Sequence, residues 1–265
     1  MYEFNFQRPA NSDAAIDAQA NAEDGQYMAG GQTIIPVLKQ RLAMPSDVID
    51  LGAIEDLSGI TIADGTVTIG AMTTHTDVAT SGDVLGAIPA LADLASMIGD
   101  PHVRNRGTIG GSIANNDPAA DYPAAVLGLG ATVHTNQRTI IADEFFTDLF
   151  ETALDEGELI TNVAFPVPDQ AAYMKFPNPA SRYAIAGVFV SRTGANVRVA
   201  VTGAATCVFR AAEMEQALAG NFNPDAIEGI GVDGTDFNND LHASAEYRTH
   251  LVSVMAKRAV AKALG

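Results

Sequence analysis

The chain has 265 residues, 47% of them apolar, enough for one large domain or two modest ones with packed cores. Its 32 acidic residues outweigh 15 basic ones, for a formal charge of −17, which argues against nucleic acid or an anionic membrane surface as partner. The single cysteine, Cys207, cannot form an internal disulfide or supply the four ligands an iron–sulfur cluster normally needs.

No apolar run is long enough for a membrane span, and Met1 to Phe6 lacks the basic and apolar regions of a signal peptide. A cytoplasmic protein is therefore the default expectation, with association to a membrane only through partners. Neither H-E-x-x-H nor a paired C-x-x-C occurs, so no metal site is expected. Four lysines and abundant aspartate fit either a saline habitat or an ordinary solvated acidic surface.

In chain order, Gln26–Ala29 reads as a strand running into Gly30-Gly31. Thr33 is placed as the N-cap of a helix to about Arg41, with Pro36 in its first turn. Asp47–Leu51 is an apolar strand, and Ile60–Ala63 with Val67–Ala71 flank the hairpin signal Asp64-Gly65. Ile88–Ile98 has helical apolar spacing. Gly99–Pro118 reads as a glycine-rich irregular stretch, followed by a helix over about Asp121–Leu129. Ala131–Thr135 and Arg138–Ile141 are expected to pair, and Leu159–Pro166 is a strand. Pro166 to Gln170 reads as a linker, because its two prolines oppose regular structure.

Beyond it, Tyr183–Arg192 and Asn196–Ala205 are β-rich around Thr193-Gly194-Ala195. Helices are expected at Arg210–Leu218, Pro224–Ile230 and Ala243–Leu264. Strands followed by helices indicate α+β organisation. The expected division is residues 1–168, an N-terminal domain of two α+β lobes, and residues 171–265, a smaller α+β C-terminal domain.

Two double-glycine loops have what a pyrophosphate requires: Ala29-Gly30-Gly31-Gln32-Thr33-Ile34-Ile35-Pro36 and Thr108-Ile109-Gly110-Gly111-Ser112-Ile113-Ala114-Asn115. Glycines let the main chain approach closely, and successive N–H groups can point into a concavity. The first also opens a helix, whose N-terminus favours an anion. Either loop alone is equally a tight connection. Neither matches the G-x-G-x-x-G fingerprint or the P-loop.

The surroundings carry more. Asp100-Pro101-His102-Val103-Arg104-Asn105-Arg106-Gly107-Thr108-Ile109-Gly110-Gly111 closely resembles the second flavin motif of the molybdenum hydroxylase FAD subunits, and the first loop resembles their first motif. Ile69 to His75, Asp117 to Ala124 and Ala245 to Arg248 are similar to further landmarks of that family. The resemblance covers almost the whole chain and is nearest to the medium subunits of aerobic carbon monoxide dehydrogenase, in the xanthine dehydrogenase superfamily.

That resemblance implies an α+β fold with a two-lobed FAD-binding domain of the molybdenum hydroxylase type, then a smaller C-terminal domain. It implies FAD as cofactor, with Gly30, Gly31, Gln32 and Thr33 on one side of the pyrophosphate, beside Ala29 and Ile34. Gly110, Gly111 and Ser112 would take the other side, with Thr108 and Ile109 shaping the turn. Thr73, Thr74 and His75 fall where the family has its flavin pocket, although His75 by itself reads as a surface-loop histidine. Asp121 is a candidate for a hydrogen bond to the sugar or ribityl hydroxyls, or an N-cap. Asn115 either reaches a flavin edge or stabilises its loop. Tyr183 aligns with a family aromatic beside the isoalloxazine, the alternative being edge packing. Lys175 matches a family lysine without an assigned role. His102 is set aside as a covalent flavin site, and Arg104 either organises its loop or makes a surface salt bridge.

The implied activity is redox relay in a hetero-oligomer. A large molybdopterin subunit would oxidise the substrate, and a small [2Fe–2S] subunit would pass electrons to this FAD for delivery to an external acceptor. No catalytic acid–base pair is needed here, and Cys207 reads as a buried small residue within a β-run rather than a nucleophile. The family implies carbon monoxide as substrate, with heterocycles or aldehydes as the alternative. Pro177-Asn178-Pro179 departs from a usually basic stretch and bears on substrate and acceptor, not on flavin binding. A free-standing flavin oxidoreductase and a non-redox nucleotide-binding scaffold are the competing classes.

Overall fold

The structure, a computed structural model, describes residues 1–265. Its first lobe runs β1 (Asn5–Gln7), α1 (Ser12–Asn21), β2 (Gly25–Met28), α2 (Ile34–Lys39) and β3 (Asp47–Asp50). The sheet order is β1-β3-β2, with both pairings parallel. The middle strand contributes Ile49 to a small core with Ala15, Leu51, Ile54, Leu57 and Leu159.

The second lobe opens with β4 (Ile60–Ala63) and β5 (Thr66–Gly70), then α3 (His75–Thr80), α4 (Gly82–Ala87) and α5 (Pro89–Ser96). Next come α6 (Pro101–Arg104), α7 (Ile109–Asn115) and α8 (Tyr122–Leu129), then β6 (Thr132–Thr135) and β7 (Thr139–Ile141). A single helical turn, α9 (Ala142–Phe145), precedes β8 (Phe146–Asp148), β9 (Glu151–Thr152) and β10 (Ile160–Pro166). The main sheet is β4-β5-β10-β6-β7 and antiparallel throughout, so the last strand inserts at its centre. The expected hairpin at Asp64-Gly65 has positive φ at both residues, as a two-residue primed turn requires.

The C-terminal unit is an antiparallel meander, β11 (Gln170–Pro177), β12 (Ala184–Thr193), β13 (Asn196–Thr202) and β14 (Phe209–Arg210), followed by α10 (Ala212–Gly220) and α11 (Ala245–Leu264). Successive side chains of a strand point to opposite faces. Val188 and Val190 accordingly join Val252, Met255 and Ala256 of α11 in one core. Phe189 joins α8 and the second lobe in the other core. All eight residues of α8 are buried. A Cβ on its Gly128 would stand 2.8 Å from the Phe189 ring, so only glycine lets helix and sheet meet this closely. Ser191 seals the contact by donating to the Gly128 carbonyl at 2.6 Å. No helix is long and apolar enough to cross a membrane.

Several expectations are corrected. Gly99–Pro118 is not irregular, because α6 and α7 lie within it. Asp100 starts α6 by accepting from the N–H groups of His102 and Val103, and Thr108 starts α7 by accepting from that of Gly111. Thr33 occupies the N-cap position of α2, as expected, but its backbone is already helical and its hydroxyl makes no capping bond. The linker shrinks to residues 167–169, since Pro166 pairs with Thr66 in β10 and Gln170 pairs with Arg192 in β11. The expected helix over Pro224–Ile230 is one 3-10 segment, Pro224–Ile227.

Candidate functional site

A cavity of about 630 Å³ lies where the first lobe, the second lobe and the β11–β12 turn meet, within the size range of cofactor pockets. Both double-glycine loops line it, which is what the sequence could not show for either alone. A Cβ on Gly30 would fall 2.0 Å from the Arg106 carbonyl oxygen, so the first loop rests directly on the segment leading into the second. Gly31 has φ of +74°, a conformation glycine adopts without strain.

The two loops do different work. In the first, the N–H groups of Gly30, Gly31, Gln32 and Thr33 have no hydrogen-bond partner within the chain. In the second, the corresponding donors are already taken. Ile109 N–H donates to Thr73 O, Gly110 N–H to Ala71 O, Gly111 N–H to Thr108 Oγ1 and Ser112 N–H to Thr108 O, at 2.9–3.2 Å. The expectation that both loops offer successive N–H groups is therefore corrected to one loop. Gly110 and Gly111 provide close packing, a Cβ on Gly110 standing 2.6 Å from that of Ala71. From α7, Gly110, Gly111, Ser112, Ala114 and Asn115 line the cavity, and of these Ser112 and Asn115 carry polar side chains.

Ala29 and Ile34 line the cavity beside the four glycine-loop residues, and Thr108 lines it from below α7. Four expected site residues lie off its wall: Thr73, Thr74, Ile109 and Lys175. The Thr73 hydroxyl is occupied by Gly59, accepting from its N–H at 3.0 Å and donating to its carbonyl at 3.1 Å. Thr74 caps α3, accepting from Asp77 N–H and donating to its carboxylate at 2.6 Å. Ile109 is wholly buried in the second-lobe core.

His75 is not a surface-loop residue. It is 4% exposed, lines the cavity, and packs 5.3 Å from the Tyr122 ring. Burial, and secondarily the Arg104 guanidinium, lowers its pKa to about 4, so the imidazole is neutral near pH 7. Its Nδ1 is buried without a partner. Arg104 organises its loop, donating to the carbonyls of Ile98 and Gly99 rather than forming a salt bridge.

Asp121 lines the cavity but caps nothing, correcting one of its two expected roles. Its carboxylate accepts from Tyr173 Oη at 2.5 Å and from Lys175 Nζ at 2.8 Å, both on β11. Burial pushes the carboxyl up, with Lys175 and the Tyr173 hydroxyl acting the other way. Tyr183 also lines the cavity and stands half-exposed. Burial, then the carboxylates of Asp117 and Asp121, raise the pKa of its hydroxyl.

Sequence reasoning missed the apolar wall made by Val37, Leu38, Ala43, Pro45 and Leu51. Their signal was present only as scattered apolar residues around α2. It also missed Arg182, the sole lysine or arginine among the lining residues. With so little cationic charge, a diphosphate here must be met by oriented N–H groups, and the first loop offers four unpaired ones. An apolar wall for a flat ring completes a donor set that fits FAD.

Residues 2–168 match the family described as FAD binding domain in molybdopterin dehydrogenase, and residues 171–263 match the CO dehydrogenase flavoprotein C-terminal domain. The chain is 35% identical to the nicotine 6-hydroxylase medium subunit of Paenarthrobacter nicotinovorans, covering 97% of this chain and 96% of that one. It is 32% identical to the carbon monoxide dehydrogenase medium chain of Hydrogenophaga pseudoflava, covering 98% and 96%. Among solved structures, reconstituted CO dehydrogenase from Oligotropha carboxidovorans superposes with a TM-score of 0.90 at 32% identity, over 98% of this chain and 97% of that one. Quinoline 2-oxidoreductase from Pseudomonas putida 86 superposes at 0.89 with 26% identity, over 98% and 96%.

Proposed function

The chain belongs to the FAD-binding medium subunits of the molybdenum hydroxylase family, and on that premise we propose that it is the redox relay of a hetero-oligomeric hydroxylase. In this reading, electrons come from [2Fe–2S] clusters on a small partner subunit, after a large molybdopterin subunit has oxidised the substrate, and leave to an external acceptor. Bound FAD supplies the chemistry, because a flavin can accept single electrons and deliver pairs.

The chain's own residues bind and orient. The N–H groups of Gly30 to Thr33 would hold the pyrophosphate, and Ser112 and Asn115, which line the same cavity, would add side-chain hydrogen bonds. Asp121 would accept from a sugar or ribityl hydroxyl, and Tyr183 would border the isoalloxazine. His75 keeps the wall beside Gly107 uncharged. Residues 1–168 would form the FAD-binding domain, and 171–265 the unit that contributes Tyr183 and supports Asp121. The observation carrying this reading is the row of four unpaired N–H groups on residues that line a cavity with one lysine or arginine, Arg182.

Carbon monoxide is the substrate we propose for the complex, supported by the two carbon monoxide dehydrogenase medium chains among the relatives. A heterocycle is the second reading, favoured by the identity with the nicotine 6-hydroxylase medium subunit. Carbon monoxide and nicotine, offered separately to the complex purified with its partners, decide between them by which one bleaches the flavin. For FAD itself, the test is an absorbance spectrum of the purified chain, then denaturation and identification of the released flavin. A colourless chain that takes up no FAD, alone or beside its partners, removes the proposal.

A further inference from the structure

Tyr183 ends the turn between β11 and β12 and is half-exposed. On one side is the cavity already described. On the other is a second cavity of about 400 Å³, lined by Asn178, Asp240, His242 and Arg248 among others, with Tyr183 on the shared wall. A half-exposed ring that lines two cavities has open space on both sides, so the hydrogen bonds of its turn bear on where it stands.

Those bonds form a continuous route from α11. Arg248, almost wholly buried, donates from Nη1 to the carbonyls of Ile185 and Gly203 at 2.7 and 2.8 Å, and from Nη2 to Asp240 Oδ2 at 2.8 Å. Asp240 Oδ1 accepts from the backbone N–H groups of His242 and Ala243. The His242 ring then meets Asn178, Nδ1 to Nδ2, at 3.1 Å. The direction of that bond follows from Asn178. Its Oδ1 already accepts from the N–H groups of Ala180 and Ser181, so its Nδ2 donates and His242 Nδ1 accepts. Asn178 also closes the turn through its backbone, donating to the Tyr183 carbonyl at 2.8 Å and accepting from Arg182 N–H at 2.9 Å. From the opposite side Arg182, at φ +64°, donates to the Gly99 carbonyl at 3.1 Å, which anchors the turn to the second lobe.

We propose that Asn178 and His242 are positioning residues for Tyr183: their hydrogen bond, seated on α11 through Asp240 and Arg248, holds the tyrosine at the edge of the cofactor cavity. The inference rests on the reading that Tyr183 borders the flavin. It explains why this turn needs an amide rather than a charge at its first residue. An amide satisfies two N–H groups with its oxygen while its nitrogen still faces an imidazole acceptor.

The chain contains no tryptophan, so Tyr183→Trp creates a unique fluorophore at the position in question. The experiment uses the FAD-loaded protein, in complex with its partners if it takes up FAD only there and those partners are tryptophan-free at the site's edge. Indole emission is read before and after FAD release, and the flavin absorbance reports occupancy. Bound FAD should quench most of the emission of the introduced indole. In that background Asn178→Ser keeps a turn acceptor but loses the donor to His242, and His242→Phe removes the acceptor. Each should recover much of the emission and increase the mobility of the indole in anisotropy decay, with FAD still bound. His242→Asn, which restores an acceptor close to where Nδ1 stood, should behave as the parent. Unchanged quenching and mobility in both Asn178→Ser and His242→Phe would overturn the inference while leaving Tyr183 at the flavin. An unquenched indole beside bound FAD in Tyr183→Trp itself would instead overturn the underlying reading, and this inference with it.

Discussion

Lys175 Nζ lies 2.8 Å from Asp121 Oδ2, and the two side chains are 2% and 4% exposed. The pair joins β11 to the start of α8 at the rim of the cofactor cavity, with Tyr173 donating to the other carboxylate oxygen. Lys175 thus bears on the cavity through Asp121, which it holds in place by a hydrogen bond.

Replacing Lys175 with methionine leaves that carboxylate buried with a hydroxyl as its remaining partner, and should cost about 3–5 kcal/mol of stability. With the cation gone, burial raises the Asp121 carboxyl further. The folded variant then holds a proton that the unfolded chain releases, so its deficit should grow as pH rises from the carboxylate range toward neutrality. Urea titrations at pH 5 and pH 8 measure this. The double variant Asp121→Asn, Lys175→Met should recover part of the loss, and a deficit that ignores pH would count against the pairing.

Gly30→Ala should abolish FAD uptake and cost roughly 1–3 kcal/mol in strain, as overpacking does, because the added carbon meets the Arg106 carbonyl. Gly86→Ala, within α4 and facing open space, is the control. It should leave FAD binding intact and stabilise by about 0.5–1 kcal/mol. Flavin content after gel filtration, with thermal melts, distinguishes the two.

His75 has its pKa lowered to about 4 by burial and Arg104, against an ordinary value near 6.5. Between those values the unfolded chain binds the proton and the folded one does not, so stability is lost as pH falls through the window. The loss should approach roughly 3 kcal/mol by pH 4. His75→Gln should flatten that part of the stability–pH curve. Chemical denaturation from pH 7 to pH 4.5 is the measurement, and an unchanged slope in the variant would assign the acid lability elsewhere.

Ser112 and Thr73 should separate cleanly. Ser112→Ala should weaken FAD binding by about 0.5–1.5 kcal/mol, with little change in melting temperature. Thr73→Val strips the Gly59 N–H of its acceptor and should cost about 1–3 kcal/mol of stability without changing FAD affinity. FAD titrations and melts on the same samples test both, and a reversed pattern would return Thr73 to the site.

Short-range signals were legible wherever the chemistry is local. Asp64-Gly65 forms its hairpin because positive φ at both positions is a property of those two residues. The helical spacing before Ile98 yields α5, since its apolar face is encoded within a few turns. Motifs that resemble a family carried the cofactor. The stretch from Gly99 to Pro118 misled because its glycines read as loop, whereas Asp100 and Thr108 cap two short helices that tertiary contacts stabilise. His75 misled for a related reason: nothing in Thr73-Thr74-His75 reveals that α8 will lay Tyr122 against it.

By itself the sequence determined the α+β organisation and the two double-glycine loops, properties of residue type and spacing, while the expectation of FAD came from the motifs' resemblance to a family. Only the tertiary structure decided which loop has donors to spare. Whether an N–H is free depends on the strand or turn that reaches it, and Ala71 and Thr73 reach α7 from far along the chain while nothing reaches Gly30 to Thr33. It likewise decided that Lys175 bonds Asp121 and that Asn178 bonds both the His242 ring and the Tyr183 carbonyl, because a buried charge or amide takes its role from partners that folding brings to it.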